Sequence, residues 1–312
     1  NVTAGRLNSE THSASVNLGG HEIAAGDLAK VVNAATRQSQ LNERAILHSL
    51  PSSYTLDGER GIRDPAGMYG DLLGVDMHVL TADRAPLKNL ELSINRAHLT
   101  VEAMVATPYA SGLAALVSDE AEMGCAAIDM GGGTTTISVF SEGKLVYADA
   151  IALGGHHVTM DLARGLSTRL DDAERIKVVH GSALPHAGED RDVISIPPFG
   201  EDERDLPTHV PRGLVSRIGR ARVEETLEML RDRIQQSGYG SLVGKRVVLT
   251  GGASQMTGLS ESARRILARN VRIGRPQVAH LESHGAGEGG FAVYAGAGGR
   301  LSRMGQWLKE SF

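Results

Sequence analysis

The stretch AIDMGGGTTTISVF (residues 127–140) decides the fold and raises the main question about this sequence. A short apolar strand ends in three glycines, three threonines follow, and the chain then returns to a strand pattern. A glycine turn lets main-chain N–H groups approach an anion closely because no Cβ blocks the way, and the threonines add hydroxyl donors. Asp129, directly before the turn, is placed to hold a hydrated Mg²⁺ ion bound to phosphates. The same pattern also suits a plain tight hairpin, and this stretch alone favours neither interpretation.

Two further glycine pairs bear on this choice. VVLTGGAS (residues 247–254) ends a buried-looking strand in Gly251 and Gly252, at the edge where an open α/β sheet usually binds its ligand. ALGGHH (residues 152–157) supplies Gly154 and Gly155. A Walker loop does not fit, since no Gly-Lys-Ser/Thr follows the glycines, and a Rossmann site does not fit, since a strand rather than a helix follows them. Three glycine clusters at strand ends predict a nucleotide held between two lobes.

The composition sets the class of protein. With 312 residues and 41% hydrophobic content, the chain can bury a large core, and two domains are expected. The net charge of −5 argues against a general nucleic-acid binder. Cys125 is the only cysteine, so a disulfide framework and a thiolate zinc site are excluded, and a reducing cytosol fits best. No apolar run approaches the roughly 18 residues of a spanning helix, which predicts a soluble or surface-bound protein.

The hydrophobic pattern predicts a mixed α/β chain. An antiparallel meander covers the opening stretch and LVYADAIAL, and residues 185–213 read as an irregular connection. Helices are predicted over residues 22–40, 86–97, 109–118, 222–236 and 260–269, with another in DAERIKVVHGSALPH. Strands are predicted over AILHSL, YTLD, residues 76–81, residues 101–106 and RVVLTGG.

Several motifs together resemble a known family. IDMGGGTT looks like the second phosphate loop of the actin, DnaK-type chaperone and sugar kinase superfamily, and VVLTGGAS resembles its adenosine loop. DAERIKVVHGSA resembles the helix that reaches the nucleoside in MreB and FtsA. With LHSLPSSYTLDGERGIRDPAGMYG, TPYASGLAAL and the terminal GQWLKESF in the family's order, the chain most resembles the FtsA family of bacterial cell-division proteins over nearly its whole length.

The resemblance implies an actin-like (ribonuclease H-like) two-lobed ATPase fold with the domain called 1C that is peculiar to FtsA. The implied domains are the remainder of 1A (residues 1–18 and 82–120), 1C (19–81), 2A (121–155 and 245–299), 2B (156–244) and a terminal membrane helix (300–312).

The resemblance also implies roles in binding ATP and Mg²⁺. Asp129 would lie near the metal, and phosphates would be lined by Gly131, Gly132, Gly133, Thr134, Thr135, Gly154 and Gly155. Glu174 and Lys177 would reach the ribose and adenine, and Gly251, Gly252 and Ala253 would form the adenosine loop. Without the family, the i,i+3 spacing of Glu174 and Lys177 indicates only a surface ion pair.

Two departures bear on catalysis. The superfamily's first phosphate loop is not found, and because the numbering begins at Asn1 inside a strand-and-turn pattern, we expect an N-terminally incomplete chain. Thr107 falls where MreB and actin carry a Glu or Gln that positions the attacking water, and threonine orders water poorly. FtsA-type proteins also lack that residue. We therefore expect nucleotide binding with weak or no hydrolysis and assign no catalytic residue.

The terminal RLSRMGQWLKESF (residues 300–312) projects as an amphipathic helix. Leu301, Met304, Leu308 and Phe312 share one narrow arc with Trp307 at its edge, while Arg300, Arg303 and Lys309 lie outside it. That pattern suits an interfacial helix on anionic lipid, or a helix that docks on its own domain. A matching membrane-targeting helix ends FtsA proteins, which favours the membrane.

The expected function is that of an adaptor at the division site on the cytoplasmic face of the inner membrane. It would bind ATP, polymerise head to tail with itself, and tether the tubulin-like FtsZ, whose acidic tail could pair with Arg212, Arg217 and Arg220. An arginine-rich helix is otherwise usually a solvated face. The alternatives are an ATPase or small-molecule kinase of the superfamily, which requires an activating acid in the cleft, and a DnaK-like chaperone module, which predicts neither segment 19–81 nor a lipid-binding tail.

Overall fold

The computed structural model describes residues 1–39, 44–197 and 207–276. Its secondary structure is mixed, as the pattern predicts, and is organised around two larger sheets. The predicted membrane helix, with Leu301, Met304, Trp307, Leu308 and Phe312, lies outside the described residues. Within the described part, no helix combines the length and apolar character that crossing a membrane requires.

The first sheet is antiparallel, with the strand order β1-β4-β2-β3. Its strands are β1 (Asn8–Asn17), β2 (Ala45–Leu56), β3 (Glu59–Ile62) and β4 (Leu72–Ala82). AILHSL and YTLD were predicted as two strands, but AILHSL and the first three residues of YTLD lie on the single strand β2, where the register shifts between Pro51 and Ser53. Proline gives no N–H to a ladder, so its place at an irregularity is expected.

Strand β4 is buried on both faces. Leu73, Val75, Met77 and Val79 alternate along it and pack with α1 (Ala25–Ser39), while Leu80 and Ala82, on the opposite face near the end of the strand, belong to a second cluster. This alternation is the two-residue period of a strand. β1 pairs with β4 from Asn8 to Asn17, so the predicted domain boundary at residue 19 separates β1 from its partner strand.

The second sheet has five strands in the order β11-β10-β5-β6-β7. Three form the predicted antiparallel meander, namely β5 (Cys125–Met130), β6 (Thr135–Ser141) and β7 (Lys144–Ile151). β10 (Arg246–Thr250) lies parallel to β5, and β11 (Asn270–Ile273) lies parallel to β10. A separate pair, β8 (Val193–Ile196) and β9 (Thr208–Pro211), occupies part of the segment predicted to be irregular.

Helices cover both faces of the second sheet. The large core joins its inner residues to α5 (Gly155–Leu166), α6 (Leu170–His180), α7 (Arg212–Gln236) and α8 (Leu259–Leu267). The other face receives α3 (Thr107–Ala115), and α4 (Ser118–Met123) packs beside β5 and β6. α7 begins ten residues before its predicted start at residue 222.

The two sheets meet through one apolar cluster. Phe140, Leu145 and Ala148 of the β6–β7 hairpin pack there with Leu80 and Ala82. α2 (Arg84–Arg96) follows β4 and contributes Leu87. The strand predicted over residues 101–106 is wrong, since within the part of the chain that the structure describes only Ala106 forms a bridge, an isolated one to Val2.

Candidate nucleotide-binding site

The three glycine clusters converge at the carboxyl end of β5 and β10. Gly155 and His156, the first residues of α5, donate their main-chain N–H groups to the carbonyl oxygens of Gly131 and Gly132 at 2.9 and 2.8 Å. A Cβ on Gly155 would lie 3.0 Å from the Cβ of Ala253 in the 3₁₀ turn Gly252–Gln255. The first turn of α5 is therefore bonded to one glycine loop and packed against the other.

A cavity of about 520 Å³ opens beside these loops, a size typical of small-molecule sites. Eight predicted residues line it: Gly131, Gly132, Gly154, Gly155, Glu174, Lys177, Gly252 and Ala253. The lining also includes residues that sequence reasoning missed: Met130, His156, Val158, Val178, Gly181, Val223, Thr226, Gln255, Met256 and Thr257. Their apolar members give the cavity an apolar wall: one valine from each of α5, α6 and α7, Met130 at the end of β5, and Met256 directly after the 3₁₀ turn.

Several glycines are required by the protein's own packing. A Cβ on Gly154 would lie 2.5 Å from the carbonyl oxygens of Gly131 and Gly132. Gly251 has φ +85°, and a Cβ there would overlap the carboxylate of Asp129 and lie 2.6 Å from the carbonyl oxygen of Met130. Because side chains tolerate neither such overlaps nor this φ region well, these two positions need glycine whether or not a ligand binds.

Gly132, Gly133 and Gly252 differ from those two. None has a positive φ of the kind that favours glycine, and a Cβ on any of them would meet no atom within 4 Å. Within the described part of the chain, the main-chain N–H groups of Gly132 and Gly133 donate to no acceptor. Main-chain N–H groups that make no hydrogen bond within the protein can donate to a bound anion.

Glu174 and Lys177, on α6, form an ion pair that lines the cavity, with Nζ 2.7 Å from Oε2. Burial of Glu174 by itself would raise its pKa, but hydrogen bonds from Lys177 and Thr159 outweigh burial and leave the pKa of this carboxyl below its usual value. The carboxylate therefore stays charged at neutral pH. The predicted surface ion pair is in fact part of the cavity wall.

Five predicted residues do not line the cavity: Asp129, Gly133, Thr134, Thr135 and Gly251. Thr135 is fully buried, and its hydroxyl donates to the carbonyl oxygen of Leu153 at 2.8 Å, so it holds the loop before α5. Asp129 is half-buried at the end of β5 and accepts a hydrogen bond from Ser111 of α3. Among the described residues, no group of three or more His, Cys, Asp or Glu side chains could hold a metal ion.

The three arginines predicted to bind a partner do not present one uniform basic face. Arg217 pairs with Asp190 at 3.0 Å, and the Nε of Arg212 is buried without a hydrogen-bond partner among the described residues. Arg220 is half-buried on the same helix.

Comparison with solved structures defines the class of protein. The chain is similar to the structure described as "PilM-PilN type IV pilus biogenesis complex", with a TM-score of 0.54, 15% identity, and coverage of 85% of this chain and 66% of the other. It is also similar to MreB5 of Spiroplasma citri bound to ADP, with a TM-score of 0.52, 16% identity, and coverage of 62% and 61%. Identities this low establish the fold alone, and it is the predicted actin-like ATPase fold.

Sequence comparison then gives the family. The family model "Cell division protein FtsA" matches residues 126–296, and "SHS2 domain inserted in FTSA" matches residues 4–81. FtsA of Rhizobium meliloti (strain 1021) is 67% identical and that of Agrobacterium fabrum 65%, each over all of this chain and 76% of the relative. FtsA of Escherichia coli (strain K12) is 30% identical over 93% of this chain and 76% of its own. The chain belongs to the FtsA family of cell-division proteins, which confirms the predicted family.

Proposed function

We propose that this cell-division protein binds ATP with Mg²⁺ in the cavity between the glycine loops and α6, and that the nucleotide controls its assembly. The observation that carries the proposal is the set Gly132, Gly133 and Gly252. Neither backbone conformation nor neighbouring atoms demand glycine at these positions. A ligand that must approach the main chain supplies the missing reason, and phosphate groups suit the free N–H donors of the first two.

The opposite side of the cavity suits a nucleoside. Val158, Val178, Val223 and Met256 offer an aliphatic surface for a planar base. Glu174 adds a charged acceptor at the edge of that surface, where hydroxyl or amino donors of a nucleoside could bond. The cavity thus pairs an anion-binding end with an apolar end that carries one acceptor.

Asp129 fits a role near Mg²⁺. It is a single half-buried carboxylate at the strand end that leads into the free amides of Gly132 and Gly133. Mg²⁺ usually keeps several waters and binds one or two carboxylates plus phosphates, so one carboxylate is sufficient. The ion would neutralise part of the negative charge of the phosphates.

We propose weak or no ATP hydrolysis. Thr107 is the first residue of α3, it is half-buried, and its N–H donates to the carbonyl oxygen of Val2 at 2.9 Å. A threonine hydroxyl is a poor group for ordering a water nucleophile. Bound ATP then acts as a switch for head-to-tail self-assembly. The domain division 1A, 1C, 2A and 2B is part of this proposal, with β1 grouped with 1C because it pairs with β4.

The nucleotide function is tested by binding of a fluorescent ATP analogue. Gly132→Val and Gly252→Val should each weaken binding at least about tenfold while thermal stability is kept, because the new side chain enters space that the protein leaves empty. Gly26→Val is the matched control, since Gly26, on α1, also has open space and no positive φ. If the wild-type protein shows no saturable binding, or if both cavity variants bind like the control, the proposal is wrong.

The adaptor role rests on family membership and on the sequence of residues 300–312. We propose that this segment binds the cytoplasmic face of the inner membrane at the division site, and that the protein tethers FtsZ there. Arg212, Arg217 and Arg220 stay candidates for the acidic tail of FtsZ, although Arg217 would have to exchange Asp190 for that partner.

Co-sedimentation with anionic liposomes tests the membrane role. Trp307→Glu with Leu308→Glu should abolish pelleting, because charge on the apolar arc opposes insertion. Ser302→Glu with Gln306→Glu adds the same charge on the polar side and should reduce pelleting far less. FtsZ should pellet with liposomes only when the intact chain is present. Equal pelleting of the two charge variants would show that the apolar arc does not bind the membrane.

A further inference from the structure

Thr159 lies behind the Glu174–Lys177 pair, one turn into α5. Its side chain is only 1% exposed, so it makes its contacts inside the protein. Its hydroxyl oxygen is 3.2 Å from the carbonyl oxygen of Gly155 and 3.0 Å from Nζ of Lys177, and it donates to Oε2 of Glu174. One hydroxyl therefore connects the phosphate end of the cavity with its nucleoside end.

Lys177 has no donor left for a ligand. An ammonium group has three N–H donors. Its three acceptors are the carbonyl oxygen of Gly155 at 3.2 Å, the hydroxyl of Thr159 at 3.0 Å and Oε2 of Glu174 at 2.7 Å. The side chain is 14% exposed. In this arrangement Lys177 holds other residues in place instead of contacting the nucleotide itself.

Glu174 has the opposite arrangement. Oε2 accepts from both Thr159 and Lys177, whereas Oε1 has no hydrogen-bond partner among the described residues. The side chain is 50% exposed and lines the cavity. A carboxylate is an acceptor only, so the group that Oε1 binds must be a donor, such as a sugar hydroxyl or the amino group of a base.

We propose that Thr159 is a positioning residue that fixes Oε2 of Glu174 and so directs Oε1 toward a donor group of the bound nucleoside. The inference rests on the proposed nucleotide function. A hydroxyl is needed at this position because it both accepts from Lys177 and donates to Glu174. Valine has nearly the same shape but neither ability, so it would remove one of the two hydrogen bonds that hold Oε2 of Glu174 and leave Lys177 with an unused donor.

A double-mutant cycle on the full chain tests this role, with the dissociation constant of ATP measured by calorimetry in the presence of Mg²⁺. Thr159→Val should weaken ATP binding about tenfold, and Thr159→Ser, which keeps the hydroxyl, should bind within about threefold of the wild type. In a Glu174→Ala background, Thr159→Val should change the affinity less than about twofold, because no carboxylate is left to position. If Thr159→Val does not fold, as judged by circular dichroism, Thr159→Ala takes its place.

The outcomes separate the two proposals. If the wild-type chain does not bind ATP, the proposed function is wrong. If it binds ATP but the valine variant binds equally well, or weakens ATP binding by the same factor with and without Glu174, then Thr159 has no role through Glu174 and this inference is overturned. Failure of serine to restore binding would also overturn it, because the hydroxyl would not be the group that matters.

Discussion

Two buried histidines between the sheets should make the protein's stability depend on pH. His48 of β2 is 4% exposed, and its Nε2 accepts the main-chain N–H of Ala106 at 2.9 Å. His78 of β4 is 1% exposed, its Nε2 lies 2.6 Å from Oγ of Ser9, and its Nδ1 is buried with no partner among the described residues. Burial lowers the pKa of each imidazole to about 4. Both are therefore neutral in the folded protein above that pH.

The sign and size of the effect follow from linkage. A histidine whose folded pKa lies below its unfolded value contributes full stability above about pH 6.5, and that stability is lost as the pH falls toward the folded pKa. The unfolded pKa is 6.5 and the folded pKa is about 4. At about pH 5 the imidazole is therefore protonated in the unfolded chain but neutral in the folded protein, which lowers the free energy of unfolding by about 2 kcal/mol per imidazole. The combined loss from the two imidazoles approaches the total free energy of unfolding of the less stable natural domains, about 5 kcal/mol.

Urea unfolding at about pH 7.5 and about pH 5, followed by circular dichroism, measures this loss in the wild type and in His78→Leu. The loss on acidification should be about 2 kcal/mol smaller in the variant. Two other histidines with a shifted pKa are present in both proteins. Burial lowers the pKa of His180, and the hydrogen bond to Asp27 raises the pKa of His21. They cancel in the difference.

His209→Leu, which replaces an exposed imidazole on β9, is the control and should leave the loss unchanged. An equal loss in the wild type and in His78→Leu would refute the reasoning, because His78 would then contribute nothing to the pH dependence.

Three further predictions concern stability. Gly124→Ala should lower the free energy of unfolding by more than about 2 kcal/mol in urea titrations, because Gly124 has φ +92° and the new Cβ would overlap the carbonyl oxygen of Leu242. Gly26→Ala is the control and should not lower it, because the new Cβ would lie in open space. Arg272→Met should lower the free energy of unfolding by about 3 kcal/mol, because the carboxylate of Glu120, 5% exposed, would lose its charged partner. Adding Glu120→Gln should recover much of that loss. If it recovers none, the unpaired charge is not the cause. Thr135→Val should lower the free energy of unfolding by about 1 kcal/mol in the same assay, because the hydroxyl of Thr135 donates to the carbonyl oxygen of Leu153. The affinity for ATP should stay within about twofold of the wild type. A large loss of affinity would mean that Thr135 contacts the ligand.

The sequence was sufficient to predict the elements whose pattern is local. The meander over β5, β6 and β7 has apolar strands separated by glycine turns, and β10 ends where its glycine pair begins. In such segments, propensity, period and turn chemistry agree, so one sequence pattern has one structural solution. The cavity residues Gly131, Gly132, Gly154, Gly155 and Gly252 follow from these turns directly.

The elements that were missed depend on distant partners. α5 begins with the last three residues of the sequence Gly-Gly-His-His, which has low helix propensity, yet its first N–H groups are satisfied by the carbonyl oxygens of Gly131 and Gly132. β8 and β9 are short strands in a charged, proline-containing segment, and they form because they pair with each other and because Ile194 and Ile196 are buried in the large core. Conversely, residues 101–106 have a strand-like pattern, but within the described residues only Ala106 finds a bridge partner.

The direction of side chains was also beyond the sequence. Gly131 to Thr135 form one motif, but the hydroxyl of Thr135 bonds to Leu153 instead of opening into the cavity. Thr159 carries no motif at all, and its contact with Glu174 and Lys177 depends on how α5 packs against α6. No periodicity within one helix encodes a contact between two helices, so the residue could be found only in three dimensions.

The glycines of the three clusters are under two different constraints, and this decides what the clusters mean. Gly154 and Gly251 are fixed by contacts within the protein, so any chain that brings these loops together would need them even without a ligand. Gly132, Gly133 and Gly252 have room for a side chain and a permissive backbone, so folding alone would allow alanine or serine there. A plain hairpin explains the first group and leaves the second unexplained, whereas a phosphate-binding loop explains both. The choice between hairpin and phosphate loop, which the sequence left open, therefore turns on these three glycines, and valine at Gly132 or Gly252 tests it without disturbing the packing that Gly154 and Gly251 maintain.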